Sequence, residues 1–128
     1  MITMTQILHK HPPALSIRAG KLARQLIQSE GLQAEQVDIV PGVAGGPKGI
    51  GIQGLDQAIF GEFFARAPQR RTLIGSSIGS WRFASILAHG AKAGTERLGE
   101  LYTNLYFDKK MQRQEVSDIC RGMLDRKS

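Results

Sequence analysis

The alternation of apolar and polar positions predicts a helix followed by a short strand at the start of the chain. From residue 15, one helical face carries Leu15, Ala19, Leu22 and Leu26. Gly31 is a typical helix end. The run Val37–Val40 is of β type and predicts a strand. Pro41 cannot donate a hydrogen bond to a neighbouring strand, so we expect it to limit or end this one.

The same helix and strand signals recur further along the chain. After a glycine-rich segment, a second helical face carries Ile52, Leu55, Ile59 and Phe63. Thr72–Ile74 predicts a second strand, and residues 80–89 predict a third helix that ends at Gly90. Two amphipathic stretches follow, with apolar positions at Leu98, Leu101 and Leu105, and then at Val116, Ile119, Met123 and Leu124.

This order of elements predicts a βαβ unit with a functional edge. Two strands joined by a helix are expected to be parallel with a right-handed crossover. In such sheets the ligand site lies beyond the carboxyl ends of the strands. A glycine-rich segment leaves the carboxyl end of each predicted strand. We therefore expect the two segments to meet at one edge of the sheet.

Size and charge restrict the classes of function. The chain has 128 residues, which suits one small domain. Its net charge of +6 suits an anionic partner such as a membrane surface or a phosphate-bearing substrate, although a merely soluble basic surface explains it as well. The basic residues are spread out and not interleaved with aromatic residues, so the sequence predicts no nucleic acid binding.

Cysteine content and hydropathy bear on the compartment. The single cysteine, Cys120, excludes an internal disulfide framework and fits a reducing compartment. No apolar stretch approaches the ~20 residues of a membrane span. The N-terminus carries no secretion signature. We therefore expect a cytoplasmic protein that can be peripheral to a membrane.

The stretch VAGGPKGIGIQG, residues 43–54, is open to three interpretations. As a phosphate-binding P-loop it fails twice, because Pro47 stands where glycine is needed and Gly49 where the Mg²⁺-binding hydroxyl is needed. As a dinucleotide fingerprint, its first glycine comes nine residues after Val40, and residues 68–72 contain no acid for the ribose. We interpret Gly51 and Gly54 instead as allowing close helix packing.

The third interpretation, an oxyanion hole, gains support from a later motif. Residues 75–79 read Gly-Ser-Ser-Ile-Gly between a predicted strand and a predicted helix. This is the context of a nucleophile elbow, with Ser77 as the exposed nucleophile between Gly75 and Gly79. A serine nucleophile needs N–H donors for the developing oxyanion, and Gly45 and Gly46 at the head of a helix can supply them.

Together these two motifs resemble those of the patatin-like phospholipase family over residues 37 to 90. The family has a Gly-Gly-Gly-x-[Arg/Lys]-Gly oxyanion loop and, about 30 residues later, a Gly-x-Ser-x-Gly elbow; here they match residues 44–49 and 75–79. The resemblance implies that Ser77 is the nucleophile. It implies an oxyanion hole at Gly45 and Gly46, with Lys48 in the basic position. Ala44 replaces the first glycine, a mild departure if its backbone is not left-handed.

The resemblance also implies a fold and exposes a deficit. The family fold is a three-layer α/β/α domain with a mainly parallel sheet, and the chain matches its N-terminal portion. The resemblance implies that residues 1–36 form an N-terminal leader and helix and that residues 37–128 form the N-terminal portion of the patatin-like domain. The family uses a Ser–Asp dyad, with the aspartate in an Asp-Gly motif. Asp108, Asp118 and Asp125 do not fit that motif, and His89 lies about 18 Å along a helix from Ser77.

We therefore expect a lipid acyl hydrolase that acts on an acyl-ester substrate without a cofactor or metal. The missing aspartate and further strands would lie downstream, or a second chain would complete the sheet. Two alternatives remain: an inactive truncated product that binds lipid or a partner, and a serine thioesterase or acyltransferase. Dinucleotide binding is a weaker third. Three aromatic residues could contact a lipid interface, although a place in the core is the commoner outcome for such residues: Tyr102, Tyr106 and Phe107.

Overall fold

The computed structural model describes residues 15–106 and 110–125. The chain divides into two compact units, Met1–Gln33 and Ala34–Ser128. In the first unit, helix α1 spans Lys21–Glu30 and ends at Gly31, which has a φ of 77°. The predicted end of this helix is confirmed.

The predicted start of α1 at residue 15 is wrong. Residues 15–20 have no regular structure, and Gly20 precedes the helix with an extended backbone (φ −64°, ψ 166°). Glycine is among the least favourable residues in a helix, so the helix begins after it although the apolar spacing continues upstream.

The second unit is mixed α/β, as the sequence predicts. Its elements are, in order, a 3₁₀ turn (Ala34–Gln36), β1 (Ile39–Gly42), α2 (Lys48–Gly51), α3 (Gln53–Asp56), a π-helical segment (Gln57–Phe63), a 3₁₀ turn (Phe64–Arg66), β2 (Thr72–Gly75), α4 (Ile78–His89), α5 (Ala91–Thr103) and α6 (Arg113–Asp125). The third helix and the two later amphipathic helices are confirmed.

The strands β1 and β2 form a two-stranded parallel sheet, with Ile39 opposite Thr72 and Gly42 opposite Gly75. The predicted parallel pairing is therefore confirmed. β1 runs from residue 39 to residue 42 rather than from 37 to 40, so it continues past Pro41.

Pro41 is tolerated inside β1 because of the edge that it faces. The Asp38 carbonyl accepts a hydrogen bond of 2.8 Å from the N–H of Thr72, the first residue of β2. The Gly42 carbonyl accepts one of 2.8 Å from the N–H of Ser76, the residue that follows β2. Backbone groups at odd-numbered positions of β1 consequently face the opposite edge. At that edge, the N–H that Pro41 lacks would not have bonded to β2, so the sheet loses no hydrogen bond.

Only one face of the sheet is covered by helices in this unit. Val40 packs into a cluster around Phe64, and the ring of Phe83 in α4 lies against Gly42. On the other face, Ile39 and Ile74 are 59% and 56% exposed. The described residues therefore form one helical layer on a small sheet, without the second helical layer of the expected three-layer arrangement.

A first core cluster lies at the base of the sheet. It contains buried Ala34, Phe64 and Ala67. The guanidinium of Arg71 lies 4.2 Å from the centre of the Phe64 ring and donates hydrogen bonds to the carbonyls of Ala34, Val37 and Ala67 at 2.8 to 3.0 Å. Arg71 thus ties together backbone carbonyls of the segments that precede β1 and β2.

A second core cluster joins α4, α5 and α6 through buried Ile78, Leu98 and Met123. Helices α4 and α5 are connected through Gly90 and approach closely where Ser85 meets Gly94. The Ser85 hydroxyl donates to the Gly94 carbonyl at 2.8 Å. The start of α4 is therefore held against two further helices.

Candidate active site

Ser77 lies in the sharp turn between β2 and α4 and has a strained backbone. Its dihedrals are φ 52° and ψ −124°, and among the described residues it is the one non-glycine residue with positive φ. Such a conformation costs about 1–3 kcal/mol and persists only where the surrounding structure imposes it. The predicted strand–turn–helix context of the Gly-Ser-Ser-Ile-Gly motif is confirmed.

The glycines on both sides of Ser77 are required by close backbone contacts. A Cβ at Gly75 would lie 2.5 Å from the backbone N and Cα of Ser80. A Cβ at Gly79 would overlap the carbonyl oxygen of Gly42 and lie 2.5 Å from its carbonyl carbon. The Ser76 N–H also donates to the Gly42 carbonyl at 2.8 Å. The end of β1 therefore fixes the turn that presents Ser77.

The glycine loop leaves two backbone donors without backbone partners. Gly46 has a φ of 54°, a conformation that favours glycine. Within residues 15–106 and 110–125, the N–H groups of Gly45 and Gly46 donate to no backbone carbonyl. They are thus free to bind an oxyanion. Ala44 does not have positive φ, so its replacement of a glycine is compatible with the backbone.

Lys48 occupies a different position from these two glycines. It is the first residue of α2, its side chain is exposed, and its N–H donates to the Gly45 carbonyl at 3.3 Å. This N–H therefore belongs to the turn. Helix α2 has only four residues, so the long helix expected directly after the loop is interrupted at Ile52.

The glycine loop and the elbow lie side by side. A Cβ at Gly49 would lie 2.6 Å from Cγ1 of Ile78, the residue that follows Ser77. A Cβ at Gly46 would lie 3.8 Å from the Tyr102 hydroxyl, and Tyr102 lines the same cavity as Ser77. The expected meeting of both glycine-rich segments at one edge is confirmed.

Beside Ser77 lies a cavity of about 170 Å³ between α4 and the two helices that follow. Its other lining residues are mainly apolar: Ile78, Trp81, Tyr102, Leu105, Cys120 and Met123. The sequence predicts amphipathic stretches that carry Leu105 and Met123, and it leaves Tyr102 open between the core and a lipid interface. Their helical spacing alone could not show that they surround a space next to the serine.

A buried ion pair links the helices that follow the two glycine-rich segments. The Arg82 guanidinium in α4 donates from Nε and one terminal nitrogen to the two carboxylate oxygens of Asp56 in α3, at 2.7 and 2.6 Å. Both side chains are at least nine-tenths buried. Sequence analysis missed this pair. An acid and a base separated by 26 positions carry no local signal of contact.

The described residues place no general base beside Ser77. Asp38 accepts a hydrogen bond from Gln69, Asp118 accepts one from Gln114, and Asp56 pairs with Arg82. Among the described residues, no carboxylate or imidazole lines the cavity at Ser77. Asp108 lies outside those residues, as do His9, His11 and Phe107, and the Asp125 side chain is not described.

His89 lies at the far end of α4 from the serine. It is the last residue of that helix, twelve positions after Ser77, which corresponds to a rise of about 18 Å. Its Nε2 is buried and has no hydrogen-bond partner among the described residues. The prediction that His89 ends a helix is confirmed, and this position keeps it away from Ser77.

The residues GIGIQG do not form a loop after a strand. Gly49 and Gly51 lie within α2, and Gly54 lies within α3. A Cβ at Gly51 or Gly54 would meet nothing within 4 Å, so the interpretation of these two glycines as close-packing positions is wrong. The close contact is made by Gly49 instead. Pro47 directly precedes α2, which further separates this segment from a P-loop.

In residues 15–106 and 110–125, no group of three or more His, Cys, Asp or Glu side chains is arranged to hold a metal ion. Within those ranges, no helix combines the length and apolar character needed to cross a bilayer.

Comparison with known proteins found no matching family model, no matching curated protein and no matching solved structure.

Proposed function

We propose that this chain carries the nucleophile and oxyanion hole of a serine acyl hydrolase of the patatin-like phospholipase type, acting on lipid acyl esters. The observation that carries the proposal is the backbone of Ser77. A strained non-glycine residue between two sterically required glycines, at the turn from a strand to a helix, is the geometry by which an elbow presents a nucleophile.

The chemistry proceeds in two steps. Ser77 Oγ attacks the ester carbonyl carbon while its proton passes to a general base, and the carbonyl oxygen becomes an oxyanion. The N–H groups of Gly45 and Gly46 stabilise that charge, assisted by the N–H of Ile78, a donor at the start of α4 that sequence analysis missed. Collapse expels the alcohol with a proton, and water then releases the fatty acid from the acyl-serine.

The base comes from outside the described residues in this proposal. The resemblance implies an aspartate on a further strand, and the exposed face of the two-stranded sheet supports additional structure there, since parallel sheets are normally covered on both sides. We infer that this chain forms the N-terminal portion of a three-layer α/β/α domain, completed downstream or by a second chain.

A peripheral contact with a membrane accords with this substrate class. The net charge of +6 favours an anionic surface, and Tyr106 is 76% exposed near the end of α5. Tyr102, by contrast, is half-buried and lines the cavity at Ser77. Only the former is therefore available as an interfacial aromatic residue. We place the protein in the cytoplasm, with its substrate at a lipid surface.

Labelling with a fluorophosphonate probe tests the nucleophile directly. We expect the chain, when supplied with the segment or partner that provides the base, to be labelled, and Ser77→Ala in the same preparation to be unlabelled. Ser76→Ala is the matched control, because this neighbouring serine is also exposed and fixes the turn through its N–H rather than its hydroxyl. Labelling that survives in Ser77→Ala, or none in the folded chain supplied with that segment or partner, would overturn the proposal.

One observation favours a second candidate, a chain that binds lipid or a partner without turnover. No acid or imidazole among the described residues lines the cavity beside Ser77. This candidate predicts that the folded chain binds lipid vesicles, that Ser77→Ala changes this binding little, and that no fluorophosphonate label appears. Labelling dependent on Ser77 would reject it.

A further inference from the structure

The cavity beside Ser77 is bounded by three helices of one unit. Ser77 directly precedes α4 and Trp81 lies in its first turn. Tyr102 lies in the last turn of α5, Leu105 follows that helix by two residues, and Met123 lies in α6. Met123 is 4% exposed and belongs to the core cluster of these helices. The cavity therefore has a packed wall, and the serine lies at its margin.

The lining suits a hydrocarbon chain rather than a polar head group. Among the described residues that line the cavity, none carries a charge. The polar side-chain groups there are the hydroxyls of Ser77 and Tyr102, the thiol of Cys120 and the indole N–H of Trp81. Burial of each methylene in such a space tightens binding about fourfold.

The volume of the cavity restricts the length of that chain. It measures about 170 Å³. An apolar protein cavity of about 150 Å³ accommodates benzene, a molecule of six carbons. The cavity beside Ser77 therefore has room for about six carbons of an acyl chain.

A much larger cavity lies behind the first. It measures about 890 Å³ and is lined in part by polar and charged side chains, including Arg97, Glu100 and Asp118. Leu105 and Met123 line both cavities. These two side chains consequently form a shared wall of the small apolar space and the larger, more polar one.

We propose that Leu105 and Met123 form a stop that limits the acyl chain bound at Ser77 to about six carbons. The inference deepens the proposed hydrolase function and rests on it for the orientation of the acyl carbonyl towards Ser77. Removal of either side chain joins the two cavities and admits longer chains.

The test uses direct binding, so that it does not require catalysis. The protein contains one tryptophan, Trp81, and it lines the cavity. The full chain is titrated with straight-chain fatty acid anions of two to ten carbons, and the Trp81 emission is recorded. We expect the affinity to rise about fourfold per methylene up to about six carbons and then to stop rising.

Variants locate the stop. In Met123→Ala we expect the affinity to rise further, beyond eight carbons. In Ile119→Ala, the matched control, we expect the limit to stay at about six, because this residue of the same helix lines only the larger cavity. If Met123→Ala does not fold, Leu105→Ala replaces it with the same expected result. Cys120→Phe, which fills part of the cavity, is then expected to bind only chains shorter than those that the wild type accepts.

The outcomes separate this inference from the proposed function. A break near six carbons that persists in Ser77→Ala and moves in Met123→Ala supports the stop, even if no fluorophosphonate label appears. A steady rise to ten carbons in the wild type overturns the stop, even if Ser77 is labelled. An unchanged limit in folded Met123→Ala and Leu105→Ala also overturns it.

Discussion

The two glycine-rich segments look alike in sequence but differ in what their glycines do. At the elbow, Gly75 and Gly79 lie so close to neighbouring backbone that no side chain fits. In the segment after the first strand, Gly51 and Gly54 lie in short helices and face open space. Two matches to a glycine pattern therefore carry different information: packing enforces both glycines of the elbow, but only Gly49 among the three glycines of GIGIQG.

The largest expected effect concerns the ion pair between Asp56 and Arg82, which joins the helices after these segments. Asp56→Ala leaves the Arg82 guanidinium buried without its carboxylate, so we expect a loss of about 3–5 kcal/mol in the free energy of unfolding, measured with urea. Asp118→Ala is the control, because its pair with Arg121 is exposed and 3.6 Å long; it should cost less than about 1 kcal/mol. Equal losses in both variants would contradict a structural role for the buried pair.

The next effect comes from the elbow itself. Gly79→Ala places a Cβ against the Gly42 carbonyl, and because backbone cannot move aside easily, we expect a loss of about 1–3 kcal/mol in unfolding free energy. Fluorophosphonate labelling of Ser77 should fall as well, since the turn moves. If Gly79→Ala were as stable as Gly54→Ala, the contrast between tightly packed elbow glycines and exposed helical glycines would be contradicted.

A smaller effect should reveal the strain at Ser77. Glycine adopts a positive φ without steric cost, so Ser77→Gly relieves the backbone strain that Ser77→Ala retains. Both variants remove the hydroxyl. We expect Ser77→Gly to be more stable than Ser77→Ala by about 1 kcal/mol in urea unfolding. At Ser76, which has no positive φ, the same pair of variants should show no such gain for glycine. A glycine advantage at both positions would argue against strain specific to residue 77.

The smallest effect has the opposite sign. Gly51→Ala and Gly54→Ala each reduce the freedom of the unfolded chain at a helical position with open space around the new methyl group. We expect each to stabilise the protein by about 0.4–1 kcal/mol, measured as a shift of the urea midpoint. A loss of stability at either position would show that its glycine is required after all, and would revive a binding role for this segment.

Much of the fold was predictable because its signals are local. The spacing of Leu98 and Leu101 predicts a helix, β-branched residues predict strands, and two strands joined by a helix predict parallel pairing. The elbow was predictable for the same reason, since five consecutive residues between a strand and a helix define it.

The second helical region shows where local patterns were insufficient. The predicted apolar face includes Ile52, yet that residue is 37% exposed, whereas Asp56 and Phe64 are buried. A π-helical segment at Gln57–Phe63 widens the turn and rotates the buried face. Asp56 can lie inside because Arg82 neutralises it, a partner that no periodicity identifies.

The sequence by itself determined which residues could be a nucleophile, which glycines could flank it and how the strands pair, because those features depend on neighbours along the chain. The tertiary structure decided which glycines are required, that Asp56 meets Arg82, and that Leu105 and Met123 close a cavity beside Ser77. Apart from the contact of Gly75 with Ser80, these depend on contacts between segments 18 to 46 positions apart. Close packing selects such contacts from many that the same local pattern allows.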